Sequence, residues 1–549
     1  MNMNKKQNLN LMIVLALFIT LSLVYIEYPG MFLDAVNPEY MGLHLFHSDN
    51  VPVWAYSDNV LATLIEGTKE YSHLPLLNSL YGTCFEAYAA LIWGVLFGYG
   101  VFALRTLHIV YLLLALIGIY LLVKCVASTK LALLGVLLLS LDPTFLFSSR
   151  TQYYIQFFPC IFWAFGLFLL LDSFDKDESS KKIFWSAVLL GLSACCYFIF
   201  AFYFLAIFMV CIIIWKMLQK GVLNNCKKMI LGFLLGYIPF IYAHISIIIT
   251  QGVDGWIGAL KGLETYGITQ GQSASFFERG AHILQEMLSI SGGSNIISMM
   301  TGKTIGSLYG QTIFILYITC FVLSIIIVKK KNRIFKNAIL ICILDSIFLI
   351  HILLAFIIGN SLGHQHFIML LPIMYLTIIL TVWECYLIVT GFIKTSEGRR
   401  RIQVIIKLVI CVCIMISGIK VGTGYFFIKE TKGIGYYSEV INNISYYLES
   451  AVSDSDIIIS PQWGYWMQIV CITNGEKQVW ADTDANTIEW RLANTNKSGK
   501  CYVIVDNSTD IEMIKRVMET CSYNKEQEII FKDYGDILNS KILVYEKVN

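Results

Sequence analysis

The sequence predicts a multispanning α-helical membrane bundle of about eleven spans, and up to about thirteen, followed by an extracytoplasmic α/β domain. Three observations carry that reading. Of the 549 residues, 57% are apolar and only 14% are charged, with a mean hydropathy of +0.66. Several apolar runs exceed the roughly 18 residues that read as a bilayer-crossing helix. Lysine and arginine gather in short clusters between those runs, whereas from about residue 424 charges become frequent and short helical and extended patterns alternate. The net charge of +2 hides this segregation and gives no reason to expect a nucleic-acid partner.

Taking each basic cluster as cytoplasmic fixes one self-consistent topology. Lys5 and Lys6 place the N-terminus inside. No small-residue cleavage site follows the first apolar run, Leu9 to Tyr28, which therefore reads as an anchor rather than a removable signal. It delivers a long polar loop, residues 30–104, to the outside. Within that loop Tyr81 to Phe102 is either a span or a helix lying in the interface. The basic residues favour the interface, because only then do Lys124 and Lys130, after the span Thr106 to Val123, fall inside. Leu131 to Phe147 runs outward, Gln152 to Leu171 inward, and Ile183 to Trp215 is long enough for two short spans, so that Lys176, Lys181, Lys182 and Lys216 to Lys228 all lie inside.

Met229 to Ile249 opens a second external stretch, residues 250–307, rich in Gly, Ser and Gln and without a phosphate-loop pattern. It reads as a cover over a site. Tyr309 to Val328, Ala338 to Ile358, Phe367 to Phe392 and Val404 to Lys420 complete a membrane domain, residues 1–423. The tail, residues 424–549, is then extracytoplasmic. Helices at Tyr436 to Ala451, Gly464 to Thr473 and Asp510 to Cys521 alternate with strands at Asp456 to Ser460 and Lys500 to Asp506. Strands at Glu528 to Lys532 and Lys541 to Glu546 follow, giving a small three-layer α/β domain. Most of the 15 cysteines sit in apolar runs. Only Cys471, Cys501 and Cys521 fall in the tail, an odd number that does not suit a disulfide framework.

Groups able to do chemistry collect at the outer ends of the spans. Asp34 and Glu39 follow the first span, Arg150 follows the third, and His364 and His366 precede the tenth. Carboxylate, guanidinium and imidazole together suit transfer from a phosphorylated donor. A carboxylate can take the proton of an acceptor hydroxyl, and the guanidinium fork matches a departing phosphate. Phosphate already leaves well, so one carboxylate base suffices for an inverting displacement. The plainer readings are a hydrophilic stop for Asp34, a snorkelling side chain for Arg150 and an interfacial anchor for Arg105. The His-Gln-His sequence is by itself a poor metal site. Asp345 and Glu384, inside apolar runs, read as helix-packing partners, and the aromatics of Pro461 to Trp466 as the opening of a core helix.

The order of an anchor helix, then Leu33-Asp34-Ala35-Val36-Asn37-Pro38-Glu39-Tyr40, then His73-Leu74-Pro75-Leu76-Leu77-Asn78-Ser79-Leu80-Tyr81-Gly82, then Leu96-Phe97-Gly98, Arg105, Asp142-Pro143 and Ser149-Arg150 resembles a known family. It is that of the multispanning glycosyltransferases dependent on polyprenyl-phosphate sugars, which includes the protein O-mannosyltransferases and the lipid A aminoarabinose transferase. The resemblance covers Met12 to Leu171 and is looser beyond, where His364-Gln365-His366 and Leu371-Pro372 are similar to a late external loop.

The resemblance implies an enzyme of a bacterial cytoplasmic membrane. Its donor would be a polyprenyl-phosphate-linked sugar and its acceptor a protein, lipid or glycan outside the cytoplasm. Asp34 would be the catalytic base. Ala35 stands where many members carry a second acid, so Glu39 would serve as second acid or acceptor contact through a turn at Pro38. Arg150, Arg105, His364 and His366 would meet the donor phosphate. Related oligosaccharyltransferases hold a divalent metal partly through an acidic pair after their Ser-Arg segment. Here Thr151-Gln152-Tyr153 follows Arg150, so the expected chemistry uses no metal and no cofactor beyond the lipid-borne co-substrate. The alternative is a transporter or flippase of lipid-linked saccharides, which would show paired broken helices in two halves and ionisable groups near the midplane.

Overall fold

The computed structural model describes residues 5–51, 76–174, 179–263, 274–330, 336–359, 362–393, 395–462, 464–481 and 485–548. The chain is a multi-pass membrane protein. Its first helix, α1 (Lys5–Leu23), leads into a short α2 (Asn37–His44), the hairpin β1 (Leu77–Ser79) and β2 (Gly82–Thr83), and α3 (Phe85–Phe97). The bundle continues through α4 (Val101–Val126), α5 (Thr129–Ser140), α6 (Pro143–Phe147), α7 (Tyr154–Asp172), α8 (Ser179–Cys196), α9 (Ile199–Met217) and α10 (Val222–Leu263). Two helices outside the spans, α11 (Phe276–Ser289) and α12 (Ser294–Thr301), precede α13 (Leu308–Lys330), α14 (Lys336–Ile358), α15 (Leu371–Phe392) and α16 (Ser396–Thr431).

Among the described residues eight helices are long and apolar enough to cross a membrane, and nine if α5 and α6, bent by 62°, form one broken span. The sequence count of about eleven includes two further runs. The apolar part of α1, Asn8–Leu23, falls short by length, and α8 opens on Ser179-Ser180-Lys181-Lys182. Both still pack in the bundle, α1 on α5 and α8 between α7 and α10. The close approach of α8 and α10 depends on small residues. A side chain at Gly191 would stand 2.3 Å from the Phe233 carbonyl oxygen, which is how helices draw together in a membrane. At 13 residues, α3 is roughly 20 Å long, too short to span, in keeping with the interfacial placement.

The bend between α5 and α6 is built by Asp142-Pro143. Proline starts a helix readily because its missing N–H is not needed there. Asp142 caps that start by accepting from the Thr144 N–H at 2.8 Å. Its other oxygen accepts from the Ser291 hydroxyl at 2.5 Å and the Tyr375 hydroxyl at 2.9 Å, which ties the break to α15 and to the turn before α12.

The C-terminal part contains α17 (Glu439–Ala451), β3 (Ile457–Ile459), α18 (Trp466–Ile472), β4 (Val479–Trp480), α19 (Ala485–Asn494), β5 (Cys501–Val505), α20 (Ile511–Thr520), β6 (Tyr523–Lys532) and β7 (Asn539–Lys547). One five-stranded sheet runs in the order β4-β3-β5-β7-β6, parallel from β4 to β5 and antiparallel through β7 and β6. Successive strand residues face opposite layers. Ile458, Tyr502 and Ile504 join the large core shared with the bundle and α17, while Ile457, Ile459, Val503 and Val505 join a second core with α19 and α20. This is the three-layer arrangement the alternation predicts. The sequence pattern misses β4, which has only two residues, and α19, which is mostly polar.

Candidate active site

The functional geometry starts where α1 ends. A helix C-terminus leaves backbone carbonyls without partners, and two buried arginines supply them. Arg150 donates from Nη1 to the carbonyls of Tyr25 at 2.6 Å and Tyr28 at 2.5 Å, and from Nη2 to those of Ser22 at 2.9 Å and Val24 at 2.5 Å. Arg105, in α4, donates to the carbonyls of Ile26 at 2.6 Å, Pro29 at 2.5 Å and Gly30 at 3.3 Å. A fixed positive charge also suits the negative end of the α1 dipole. The C-terminal domain holds the same segment from the other side. Gly30 N–H donates to the Tyr437 carbonyl at 2.6 Å and Met31 N–H to Asn442 Oδ1 at 2.9 Å, while Phe32 stacks on Tyr437 at 4.9 Å. The approach is close enough that a Cβ on Gly30 would lie 1.7 Å from the Ser438 carbonyl oxygen.

Arg150 and Arg105, expected to meet the donor phosphate, are here bonded to the chain itself. Their terminal guanidinium nitrogens are taken by backbone carbonyls, both side chains are at most 2% exposed, and neither is among the described residues lining the cavity beside Asp34. They are the clamp that presents the segment carrying Asp34.

Asp34 lies in a single 3-10 turn, Leu33–Ala35, whose flanking side chains are buried. It faces a cavity of about 260 Å³. Asn37 opens the next wall at the start of α2, and the β1–β2 hairpin adds Ser79, Tyr81 and Thr83. Gln156 of α7 and Gln152 just before it form the floor, with Tyr197 from the α8–α9 turn and Gln365 and His366 from the entry to α15. Among the described residues that line the cavity Asp34 is the one carboxylate, and none is lysine or arginine. Burial pushes its carboxyl up to about 6. His366 pairs through Nδ1 with the Tyr197 hydroxyl, and the Tyr437 hydroxyl donates to Gln152 Oε1, so the C-terminal domain secures one wall.

The structure separates the remaining candidates from this cavity. Pro38 and Glu39 lie in the first turn of α2, so no turn brings Glu39 back toward Asp34. Glu39 is fully buried, accepting from the Tyr154 hydroxyl at 2.5 Å and sharing a proton with His108 Nε2 at 3.1 Å. His108 Nδ1 meets the Ser149 carbonyl at 3.1 Å and its ring stacks on Tyr154 at 3.6 Å. Glu39, expected as a second acid or acceptor contact, here ties α2 to α4 and α7. His364 is also outside the cavity lining. Its Nδ1 faces Glu286 Oε2 at 2.7 Å and Ser289 Oγ at 3.3 Å. The second external stretch thus supplies, through α11, the carboxylate that holds this histidine.

Asp345 accepts from the Ser324 hydroxyl at 2.5 Å across α13 and α14, as a packing partner does, and Trp466 packs edge-on against Tyr40 at 4.9 Å within the core. His73, Leu74, Pro75, Asp58, Glu66 and Trp463 lie outside the described residues. No group of three or more His, Cys, Asp or Glu suited to a metal occurs among the described residues. Sequence reasoning passed over Asn37, Gln152, Gln156 and Tyr197. A signal for the two glutamines was present: two amides one turn apart at the head of an apolar run are costly in a membrane unless they face a cavity.

The chain is thus a helical bundle broken at Asp142-Pro143, with Asp34 on the segment after the first helix and a small α/β domain packed against that segment. At the level of sequence no family model and no curated protein matches the chain. Among solved structures, the chain is similar to ArnT from Cupriavidus metallidurans bound to undecaprenyl phosphate, with a TM-score of 0.60 at 10% identity over 97% of each chain. It is also similar to the archaeal oligosaccharyltransferase AglB from Archaeoglobus fulgidus in complex with an inhibitory peptide and a dolichol-phosphate. There the TM-score is 0.52 at 12% identity, covering 94% of this chain and 69% of that one.

Proposed function

We propose that this protein is an inverting glycosyltransferase of the cytoplasmic membrane, moving a sugar from a polyprenyl-phosphate carrier to a hydroxyl on an extracytoplasmic protein, lipid or glycan. The observation that carries the reading is the placement of Asp34 as the lone acid of a cavity walled by amides and hydroxyls at the ends of the spans. The likeness of the fold to lipid-phosphate-dependent transferases supports it. In the reaction Asp34 takes the proton of the acceptor hydroxyl, whose oxygen forms a bond to the anomeric carbon from the face opposite the phosphate. The bond from that carbon to the phosphate oxygen breaks, and its electron pair leaves with polyprenyl phosphate. With a carboxyl pushed up to about 6, Asp34 is ionised at neutral pH yet basic enough to accept a proton, which is the balance a general base needs.

His366 and the Tyr197 hydroxyl are the cavity groups assigned to the departing phosphate, by hydrogen bonding, while the prenyl chain lies between spans. His364, held on Glu286, orients the turn that carries His366. Basic clusters at the opposite helix ends support an orientation with the N-terminus cytoplasmic and the C-terminal domain outside. The test uses the purified full chain in lipid nanodiscs with labelled polyprenyl-phosphate sugar and water as the surrogate acceptor, so that release is hydrolysis of the donor. Wild type releases polyprenyl phosphate and Asp34→Asn, equally well folded, does not. Undiminished release from the variant would remove Asp34 from the mechanism.

A further inference from the structure

Among the described residues three side-chain polar atoms in the cavity wall stand without a hydrogen bond, the Thr83 hydroxyl and two amide oxygens that can only accept. Gln156 Oε1 and Asn37 Oδ1 are each buried without a hydrogen bond, and Gln156 as a whole is 6% exposed. A buried acceptor left in this state costs about 1–3 kcal/mol, so such a pair facing one cavity marks the place where a ligand brings donors. Hydroxyl groups are donors of the right kind. A carboxylate is not, since it would set oxygen against oxygen.

The charge inventory points the same way. Among the described lining residues Asp34 is the only carboxylate and none is lysine or arginine, and His366 Nδ1 is engaged by Tyr197. An anionic sugar would find no lysine or arginine there. A cationic sugar would find only Asp34, and pairing with it would occupy the base. A charged group buried without a partner is expensive. The cavity volume of about 260 Å³ is below the roughly 300–1,000 Å³ of pockets that hold drug-sized ligands, which suits a single sugar residue.

We propose that the donor sugar is one uncharged, polyhydroxylated monosaccharide of the neutral hexose kind, with two of its hydroxyls donating to Gln156 Oε1 and Asn37 Oδ1. This rests on the transferase reading above and deepens it. Ser79, Thr83 and Gln365 line the remaining wall with groups that both donate and accept, as a ring of hydroxyls requires.

The experiment offers the purified full chain, in lipid nanodiscs, three synthetic donors on the same polyprenyl phosphate: a neutral hexosyl, a uronosyl carrying a carboxylate, and an aminodeoxy sugar carrying an ammonium. Release of polyprenyl phosphate is measured for each. The neutral donor should be used with a kcat/KM at least about a hundredfold above either charged donor. Gln156→Leu should lower kcat/KM for the neutral donor by roughly tenfold to a hundredfold, and the drop should shrink for a donor deoxygenated at the hydroxyl that Gln156 receives. Gln156→Glu, which adds a negative charge in the same shape, should move preference toward the aminodeoxy donor. Use of the uronosyl or aminodeoxy donor by wild type as well as or better than the neutral one overturns the proposal while leaving the transferase reading intact. Release from none of the three overturns both.

Discussion

Two regions at the same end of the bundle contain the polar groups that drew attention in the sequence, and they are built on opposite terms. Around Arg105 and Arg150 polar atoms are paired densely: seven carbonyls between Ser22 and Gly30 receive the two guanidiniums. Around Asp34, one turn further along the chain, amide oxygens of Asn37 and Gln156 stand unpaired, and a carboxyl lies in a wall that raises its affinity for a proton. The first region gains stability by giving the carbonyls at the end of α1 charged donors. The second gives stability up, and what it leaves open is what a substrate can complete.

Substitutions that exchange the properties of the two regions should separate them. The largest effect is expected from Asp34→Asn, which should lower the transfer rate by roughly a hundredfold to ten-thousandfold while the protein folds. It should also stabilise the fold at neutral pH. The folded-state value for Asp34 is raised, so the native state binds the proton more tightly than the unfolded chain. The ionised carboxylate therefore destabilises the native state increasingly as pH rises from about 4 through about 6. Thermal unfolding at pH 8 should show the variant above wild type by on the order of 1–2 kcal/mol, and at pH 4 the two should converge.

Arg150→Lys should do the reverse. One ammonium cannot serve four carbonyls in a fork geometry, so stability should fall by about 2–4 kcal/mol, read as lost folded yield and a lower Tm. Turnover per folded molecule should stay within a few-fold. Glu39→Gln keeps the shape of the α2 lock and removes the shared proton with His108, which should cost about 1–2 kcal/mol of stability and leave the pH dependence of turnover in place. The smallest effect is expected from His364→Asn, because His364 meets Glu286 rather than the cavity. Its turnover should change by less than about tenfold, a shift worth 1.4 kcal/mol or less.

The fold was legible in the sequence to a large extent for a simple reason. A bilayer imposes length and polarity on each span, and lysine and arginine cluster on one face. The α/β alternation of the tail was equally plain wherever an element buried an apolar face, as in Ile457–Ile459 and Cys501–Val505. The place of Asp34 after the first span was legible, and the structure sets it in a cavity wall. The roles of Arg105, Arg150 and Glu39 were not, because charge and position alone do not reveal whether a partner is a backbone carbonyl, a buried histidine or a ligand. That depends on where the chain between Ser22 and Gly30 crosses the tops of α4 and α7, which is set by tertiary packing. Gln152 and Gln156 were passed over because uncharged amides draw less notice than ions, although an amide facing a cavity in a membrane helix carries comparable information.

The claim on which the rest depends is that the carboxyl of Asp34, raised by burial, accepts the acceptor's proton in the cavity. Its most direct test is the pH dependence of the single-turnover rate of labelled sugar transfer by the wild-type protein and by His366→Gln. In both, the rate should climb about tenfold per pH unit on the acid side and level off above about 6. A rate that stays flat from pH 5 to 8, or an acid limb lost with His366 instead of with Asp34, would contradict it.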